Sequence, residues 1–410
     1  MLLPGEAAHP EQLFTTARDP SRERWTGKVL SADEVTAATG VREVFAASRF
    51  DAFLDRIFKG LGFDVQGTAA FFAQPFAPAV ASALKAGRGE VWLLLGERES
   101  RSWNQRAQRL AADLRMKYPE VAIRNASPVL DAMREIKSPA ELALIQRAVD
   151  VTVAAQKAAM TRVLTAAHEY EIDATVAFTF RNMGACCWAF PSIIAAGRNS
   201  TTLHYESNND PIVRDGLLLT DLGAEVEGYS ADVTRTYPAS GVFSADQRAL
   251  YEVVYNAQNE GLALMRPGHR MMDVEDKAQE VVGRDLLKLG LVTKNVREQS
   301  EWYLFHGPGH PLGLQTHDVY DRTRLMEPNM VSTNEPGVYV RKNDVVESDV
   351  FKKLPPAEQQ SVRKALDRYD GIGIRIEDDV LITTGAPKVL SSGAPRAAAD
   401  VEAFMAAARR

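Results

Sequence analysis

The sequence has 410 residues, 45% of them apolar and 25% charged, which is an ordinary globular composition and enough chain for two domains with full cores. Its formal net charge of −6 argues against binding to a nucleic-acid backbone as the main task, so we expect no nucleic-acid partner. No apolar run approaches the roughly 18 to 20 residues that a bilayer span requires, and we expect no membrane association.

The first part of the chain, residues 1–136, alternates strand-like apolar runs with helical stretches. The strand-like runs are Val44–Ala47, Val91–Leu95 and Val121–Ile123, and the helical stretches are Ser48–Leu61 and Arg101–Lys117. This alternation predicts a small α/β domain. The opening residues lack the basic segment and long apolar core of a secretion signal, and the adjacent Cys186 and Cys187 cannot link distant segments. Both observations favour a reducing, cytoplasmic compartment.

A second domain, residues 137–410, begins at a helix start that the sequence marks clearly. Ser138 is a typical N-cap, Pro139 takes the first helical position and Glu141 takes the third. The apolar spacing that follows predicts a helix to about Val163. A second helix is predicted at about 170–183, and an extended run follows at 189–196.

The stretch Leu217–Arg235 reads as two β-strands joined by a turn at Glu227-Gly228. Asp221 closes the apolar run of the first arm, and Asp232 lies in the second arm eleven positions later. Folding the second strand back beside the first brings both carboxylates to one side of the ribbon. Because a buried, uncompensated charge is costly, this acid pair predicts a bound cation whose other ligands come from elsewhere in the chain.

After the hairpin, the apolar spacing predicts helices at 244–264 and 272–288 and a closing helix from about Ala398. Residues 343–370 are polar and charged and contain paired prolines, which predicts a surface excursion. Histidines and acids gather in three short clusters, at 305–318, 333–339 and 371–379.

The first of these clusters holds His306, His310 and His317 within twelve positions, and glycines and prolines punctuate it. Such a loop lets imidazoles approach a shared centre. In the third cluster, strand alternation puts Arg375 and Glu377 on one face of a strand. We therefore expect both side chains to point into the same site.

The order and the residues of the hairpin and these three clusters resemble those of the pita-bread metallopeptidases, in the branch that holds aminopeptidase P and prolidase. The resemblance runs from about residue 137 to the end of the chain. It implies an α/β (α+β) fold with a pita-bread catalytic domain. A small creatinase-like α/β domain, shorter than the family's usual one, would precede it.

In that family two aspartates, one histidine and two glutamates hold a pair of divalent metal ions. The matching residues here are Asp221, Asp232, His310, Glu335 and Glu377. By the resemblance, Asp232 and Glu377 bridge the two ions. Asp221 completes one metal site, and His310 with Glu335 completes the other.

Four carboxylates and one imidazole form a hard, oxygen-rich ligand set that suits Mn²⁺, with Co²⁺ or Zn²⁺ as alternatives. Two cations a few ångströms apart lower the pKa of a shared water and polarise a carbonyl oxygen, which is chemistry suited to peptide hydrolysis. The resemblance therefore implies a metallo-exopeptidase.

The resemblance also implies roles for residues around the metals. Glu335 moves the proton of the water to the leaving proline nitrogen, His204 contacts the substrate, and His317 stabilises the tetrahedral intermediate. Four further residues match the proline-specific enzymes in substrate binding or catalysis: His306, Arg322, Tyr339 and Arg375. The departures from the family pattern, which bear on the shape of the pocket, are Pro308, Pro311 and Asn334.

The implied activity is removal of the N-terminal residue from peptides with proline in second position. Proline-containing peptides are then the expected partners, and we expect a homo-oligomer, either a dimer or a tetramer. The alternative is an Xaa-Pro dipeptidase, which captures the free carboxylate of its substrate with a cation. The cations available for that purpose are Arg322, Arg324, Arg341 and Lys342. A non-catalytic binding module is a third interpretation, but such relatives lose metal ligands and none is missing here.

Overall fold

The computed structural model describes residues 1–3, 5, 9–61, 78–96, 105–321 and 323–409. These residues form two compact units, Met1–Leu130 and Asp131–Arg410, each with its own apolar core. The domain boundary between residues 136 and 137, inferred from the sequence, remains a proposal. In the described part of the chain, no helix has both the length and the apolarity that crossing a bilayer requires.

The first unit combines two pairs of parallel strands with several helices. Its strands are β1 (Gln12–Thr15), β2 (Glu43–Ala46), β3 (Glu90–Leu93) and β4 (Ala122–Asn125), and its helices are α1 (Pro20–Thr26), α2 (Ala32–Thr39), α3 (Phe50–Phe58), α4 (Pro78–Lys85) and α5 (Gln105–Lys117); the next helix is α6 (Ser127–Glu135). β1 pairs with β2 and β3 pairs with β4, while Phe45, Phe53 and Ile57 form the buried core. The α/β character expected from the sequence is present, although residues 101–104 of the predicted helix lie outside the described residues.

The second unit holds the longer helices and several small antiparallel sheets. Its helices are α7 (Pro139–Arg162), α8 (Glu169–Asn182), α9 (Ala245–Leu262), α10 (Met271–Leu289), α11 (Arg297–Ser300), α12 (Lys342–Glu347), α13 (Asp349–Lys352), α14 (Pro356–Tyr369) and α15 (Ala398–Ala408). Its strands are β5 (Cys187–Trp188), β6 (Ile193–Ala196), β7 (Leu217–Leu222), β8 (Ala224–Val226), β9 (Tyr229–Ser230), β10 (Val233–Pro238), β11 (Val331–Asn334), β12 (Gly337–Tyr339), β13 (Gly373–Arg375), β14 (Asp378–Leu381) and β15 (Lys388–Val389).

Helix α7 starts where the sequence predicts. The Ser138 hydroxyl accepts from the Glu141 N–H, and the Glu141 carboxylate accepts from the Ser138 N–H at 2.7 Å, which completes a capping box. Further along, the buried Gln156 amide donates to the carbonyls of Thr220 on β7 and Val233 on β10. The helix therefore holds the two strands of the acid-bearing hairpin by side-chain hydrogen bonds as well as by apolar contact.

The predicted hairpin is confirmed, and each of its two arms consists of two strands, β7 and β8 before the turn and β9 and β10 after it. β7 lies at the centre of a sheet with the order β10–β7–β6, and β10 pairs antiparallel with β7 so that Thr234 stands opposite Asp221. Glu227 and Gly228 form the turn between β8 and β9 with φ angles of 51° and 85°. Two successive positive φ values are typical of the turn that matches the twist of a hairpin, and glycine supplies one of them without strain.

Two other strand pairings bring the later clusters to the same place. β11 pairs antiparallel with β14, with Asn334 opposite Asp378, and β12 pairs with β13. Glu335 follows Asn334 directly and Glu377 directly precedes Asp378, so this register sets the two glutamates at facing strand ends. The Glu377 N–H donates to the Thr234 carbonyl at 3.1 Å, which joins this segment to β10 of the hairpin.

The prediction of a surface excursion at 343–370 is wrong, because this segment forms α12, α13 and α14. Its apolar residues are sparse, but helical spacing gathers Val345, Phe351 and Leu366 on buried faces that join the main core. The paired prolines mark a helix start rather than a break. Pro356 takes the first position of α14, where a missing backbone N–H costs no hydrogen bond.

Asp285 on α10 is a buried acid that ties two helices of this unit together. It accepts hydrogen bonds from Asn256 on α9 at 2.9 Å, from Arg284 at 3.0 Å and from Lys288 at 2.6 Å. Burial raises the pKa of Asp285, but these hydrogen bonds outweigh burial and lower the pKa to about 2.

We expect Asp285→Asn to lower the free energy of unfolding at pH 7 by about 2 kcal/mol, because hydrogen bonds to a charged acceptor are lost. An acid with a depressed pKa stabilises the fold above its ordinary value of 3.8, and that contribution fades as the pH falls toward 2. Denaturant titrations at pH 7 and pH 3 measure the difference, with Asp276→Asn on the exposed side of α10 as the control. A loss of equal size at both pH values contradicts this account.

Candidate metal centre

Three of the predicted metal ligands lie in one cluster. Single ligand atoms of Asp232, His310 and Glu377 all lie within 4.8 Å of one another, and both carboxylates are buried. The His310 Nε2 atom lies 3.4 Å from Asp232 Oδ2. The hairpin, the histidine loop and the segment between β13 and β14 each contribute one member, so the cluster exists only in the folded chain.

Glu335 adjoins this cluster from the segment between β11 and β12. Its Oε1 atom lies 3.5 Å from His310 Nε2 and 3.4 Å from the Thr333 hydroxyl. Its backbone N–H donates to the Pro308 carbonyl at 2.9 Å, which fastens the segment to the histidine loop. The structure therefore brings a fourth predicted ligand to the same pocket.

Asp221 approaches from the central strand β7. Its Oδ2 atom accepts from the Arg375 guanidinium at 2.6 Å, while its Oδ1 atom is buried without a hydrogen-bond partner among the described residues. An unsatisfied buried carboxylate oxygen is costly. A cation ligated by Oδ1 removes that cost, so this orphaned atom fits a metal ligand.

The electrostatics of the pocket demand positive charge. Burial, followed by repulsion from Glu377 and Asp221, raises the pKa of Asp232 well above its ordinary value. Burial and the charges of Glu335 and Asp221 raise the pKa of Glu377 in the same way, and burial raises the pKa of Glu335 to about 8. Repelling acids of this kind, with oxygen and imidazole donors, fit hard divalent cations.

His310 is held in the orientation that a ligand needs. Its Nδ1 atom lies 3.1 Å from the Pro311 carbonyl, which can only accept, so Nδ1 carries the proton and Nε2 faces the carboxylates with its lone pair. The Thr333 hydroxyl accepts from the His310 backbone N–H at 3.0 Å. Burial, with the nearby charge of His317, lowers the pKa of His310 to about 4, which keeps the ring neutral at pH 7.

Supporting residues that the sequence analysis missed fix the acids. The Thr234 hydroxyl donates to Glu377 Oε2 at 2.6 Å and accepts from Arg375 Nε at 3.1 Å, so it stands between the two side chains that strand alternation sent to one site. Asp379 accepts from the Asp232 N–H at 3.0 Å. A threonine on a strand looks like ordinary sheet sequence, and it carried no signal of this role.

Arg235 is a second missed residue, fully buried next to the ligands. It donates to the Glu377 carbonyl at 2.5 Å and to the Asp378 carboxylate at 2.6 Å. Burial raises the pKa of Asp378, but the charge of Arg235 and the hydrogen bonds from Ser391 and Arg235 together outweigh burial and lower the pKa. Arg235 therefore links β10 of the hairpin to the backbone of Glu377 and to the side chain of the next residue, Asp378.

Three residues predicted to act in substrate binding or catalysis, His306, Tyr339 and Arg375, form a single chain of hydrogen bonds ending at Asp221. Arg375 donates to the Tyr339 hydroxyl at 2.9 Å, and that hydroxyl lies 3.0 Å from His306 Nε2. Since the arginine can only donate, the Tyr339 hydroxyl donates its hydrogen bond to His306 Nε2. His306 then donates through Nδ1 to the Gly307 carbonyl at 2.9 Å, and burial lowers its pKa to about 4.

The other predicted residues lie around this core. The exposed His317 ring packs against His310 with ring centroids 4.2 Å apart and an interplanar angle of 58°. His204 is exposed and close enough to His306 for its charge to lower the pKa of that ring. Arg322 lies outside the described residues.

The remaining cations considered for carboxylate capture have acidic partners. Arg324 pairs with Glu135 and Glu327, Arg341 pairs with Asp344, and Lys342 pairs with Asp367. Each partner occupies hydrogen-bonding capacity that a substrate carboxylate needs.

The departures from the family pattern also have defined contacts. Asn334 is buried, but its amide donates to the Gln258 carbonyl on α9 at 2.9 Å, so the polar group is satisfied. The carbonyl of Pro311 accepts from His310 and also from the Asp318 N–H. Asp318 in turn accepts from Arg134 and, at 3.4 Å, from the buried Lys137, which anchors the end of the histidine loop.

Two family models match the chain. The model described as metallopeptidase family M24 matches residues 143–384, and the model described as aminopeptidase P, N-terminal domain, matches residues 1–63. The Xaa-Pro aminopeptidase of Haemophilus influenzae is 31% identical over 415 residues, covering 99% of this chain and 84% of that protein. The Xaa-Pro aminopeptidase of Escherichia coli is 32% identical over 410 residues, covering 97% of this chain and 82% of that protein.

Solved structures give the same likeness. Pseudomonas aeruginosa aminopeptidase PepP matches with a TM-score of 0.80 at 30% identity, covering 100% of this chain and 85% of that one. Aminopeptidase P of Escherichia coli with the inhibitor Pro-Leu matches with a TM-score of 0.76 at 28% identity, covering 97% of this chain and 82% of that one. The likeness therefore extends far beyond the clustered acids and histidines.

We expect Thr234→Val to weaken Mn²⁺ binding by about 10- to 100-fold, because Glu377 and Arg375 lose the hydroxyl that orients them. The matched control is Thr236→Val on the same strand, whose hydroxyl hydrogen-bonds to the backbone of Arg375 instead of to a ligand side chain. Isothermal titration calorimetry measures both affinities. Equal losses in the two variants contradict an orienting role for Thr234.

We expect Asp232→Asn to stabilise the metal-free protein at pH 8 by about 1–3 kcal/mol and to abolish stabilisation by Mn²⁺. An acid whose pKa is raised in the fold destabilises the protein increasingly as the pH rises above its ordinary value of 3.8, and the amide removes that cost. Asp378→Asn, at a buried aspartate whose pKa is lowered, has the opposite sign. Chemical denaturation with chelator and with Mn²⁺ measures these effects, and a destabilised metal-free Asp232→Asn variant contradicts them.

Proposed function

Since this chain belongs to metallopeptidase family M24, we propose that it is an Xaa-Pro aminopeptidase, a metal-dependent exopeptidase that releases the N-terminal residue from peptides with proline in second position. The family's catalytic region and the aminopeptidase P N-terminal region are both present. The fold is the α/β (α+β) pita-bread fold expected from the sequence, as the aminopeptidase P structures confirm.

One observation carries this proposal above the others. Asp232, His310 and Glu377 form a buried triad that Glu335 and the half-satisfied Asp221 join from two sides. Burial and mutual repulsion raise the pKa of Asp232 and Glu377, so keeping these acids ionised in the pocket is unfavourable unless a cation is bound. A non-catalytic module has no need to retain so costly an arrangement.

The proposed ligands of two divalent ions are Asp221, Asp232, His310, Glu335 and Glu377, with Mn²⁺ as the proposed resident metal. Asp232, His310 and Glu377, whose ligand atoms lie within 4.8 Å of one another, would hold the ions at the buried cluster. Asp221 and Glu335 would complete the ligand set from two sides. When bound, such ions polarise the carbonyl of the scissile bond and lower the pKa of a nearby water.

Glu335 is the proposed proton carrier. The departing nitrogen is the ring nitrogen of proline, and it must gain a proton as the bond breaks. The Glu335 carboxylate, beside His310 and 3.9 Å from the His306 ring, accepts a proton from the attacking water and delivers it to that nitrogen. His317, whose ring packs against His310, is proposed to donate to the tetrahedral oxygen.

The chain of hydrogen bonds through His306, Tyr339 and Arg375 supports a rigid wall for the prolyl ring. Each side chain in it has its orientation fixed at both ends, and Phe305 packs against Tyr339 with ring centroids 5.3 Å apart. His204 is exposed and close enough to His306 for its charge to lower the pKa of that ring, and it is proposed to contact the substrate. The role of Arg322 in substrate binding stays a prediction.

An Xaa-Pro dipeptidase is the second candidate function. It needs a cation free to capture the substrate carboxylate, and Arg324, Arg341 and Lys342 each pair with an acid of this chain. These pairings favour the aminopeptidase, which accepts peptides that extend beyond proline.

The setting of the enzyme is proposed from its cysteines and its family. Cys186 and Cys187 are both free thiols, which supports a reducing, cytoplasmic compartment. The homo-oligomer, a dimer or a tetramer, stays a prediction that sedimentation analysis measures.

We expect the Mn²⁺-loaded protein to cleave Xaa-Pro-Yaa tripeptides with a kcat/KM at least about 10-fold above that for Xaa-Pro dipeptides, because the three candidate cations that the structure describes, Arg324, Arg341 and Lys342, are paired with acids of the chain. The matched control is the same tripeptide with alanine in second position, which should be a poor substrate. Hydrolysis of dipeptides alone selects the dipeptidase. Absence of cleavage for every proline substrate contradicts both functions.

A further inference from the structure

A second cluster of potential metal ligands lies outside the acid-rich centre. Single ligand atoms of Cys186, Cys187 and Glu225 lie within 4.8 Å of one another, and both cysteines are exposed. The Cys186 sulfur lies 3.4 Å from Glu225 Oε1 and 3.5 Å from the Glu225 carbonyl. Nothing in the proposed peptidase chemistry uses these residues.

The backbone holds the three residues in place. β5 pairs antiparallel with β8 so that Cys187 stands opposite Glu225, and the Cys186 N–H donates to the Glu225 carbonyl at 3.1 Å. Arg181 donates to the Cys186 carbonyl and covers the Trp188 ring, 5.1 Å from its centroid. Cys186 precedes the strand, so strand alternation does not force its thiol to the face opposite Cys187.

The local charge favours a cation. Two thiolates and a carboxylate so close together repel one another. A bound cation takes the place of the thiol protons and removes that repulsion.

We propose that Cys186, Cys187 and Glu225 form a binding site for a thiophilic divalent cation of the Zn²⁺ class. Two thiolates and one carboxylate supply three ligands of a tetrahedral ion, and the exposed position leaves the fourth to water. The sulfur donors distinguish this site from the acid-rich centre, whose oxygen and imidazole donors suit harder ions. The site therefore selects a different metal from the same solution.

The test uses Cd²⁺ as the probe on the full-length, Mn²⁺-loaded protein. Thiolate ligation of Cd²⁺ gives an ultraviolet charge-transfer band that carboxylate and imidazole ligation do not give. Because the chain contains only two cysteines, any such band reports on Cys186 and Cys187. We expect saturation at one Cd²⁺ per chain, independent of protein concentration, and Zn²⁺ should compete for the site.

Variants separate the contribution of each ligand. Cys186→Ser and Cys187→Ser should each abolish saturable binding, and Glu225→Gln should weaken Cd²⁺ binding by about 10-fold or more. The matched control is Glu227→Gln, at an exposed acid two positions away that pairs with Arg147, and it should leave affinity unchanged.

Three results overturn the proposal. They are the absence of a thiolate band at equimolar Cd²⁺, a band that saturates at one Cd²⁺ per two chains, and an affinity that Glu225→Gln leaves unchanged. Circular dichroism of each variant checks that the fold is intact. None of these readouts depends on peptidase activity.

Discussion

Four carboxylates that share one buried pocket constrain the architecture of the second unit. Arg375 contributes one compensating charge through its ion pair with Asp221, and the surrounding acids hold the pKa of this guanidinium well above its ordinary value despite burial. With Asp232, Glu335 and Glu377 also ionised, these five groups together carry three negative charges. Such a deficit is too costly to leave in a protein interior, and divalent cations fill it.

The fold meets this constraint by placing Asp221 on β7 and the other three acids next to the ends of separate strands, where neighbouring residues fix their positions. Pairing of β10 with β7 and of β11 with β14 sets the backbone positions. Thr234 binds the Glu377 side chain, Thr333 accepts from the His310 N–H, and Arg235 donates to the Glu377 carbonyl. Ligands supported on strands in this way lose little freedom when a metal binds. Just beyond Glu335, strand β12 carries Tyr339, whose hydroxyl joins Arg375 and His306 in the network that is proposed to contact the prolyl ring.

Local chemistry decides what the sequence can and cannot predict here. The capping box at Ser138 and the turn at Glu227-Gly228 follow from short-range rules, and both are present. The acids were recognisable as a family pattern, but Thr234 was not, because its role depends on which strand it faces. The helices at 343–370 were missed since a short polar segment shows its apolar face only when the core it packs on is known.

The most direct test of the central claim is anomalous X-ray diffraction from crystals grown with Mn²⁺. The account predicts two anomalous peaks in the pocket, with Asp232 and Glu377 contacting both ions and Asp221, His310 and Glu335 each contacting one. A pocket without anomalous density at saturating Mn²⁺, or one whose five side chains turn away from the ions, contradicts it.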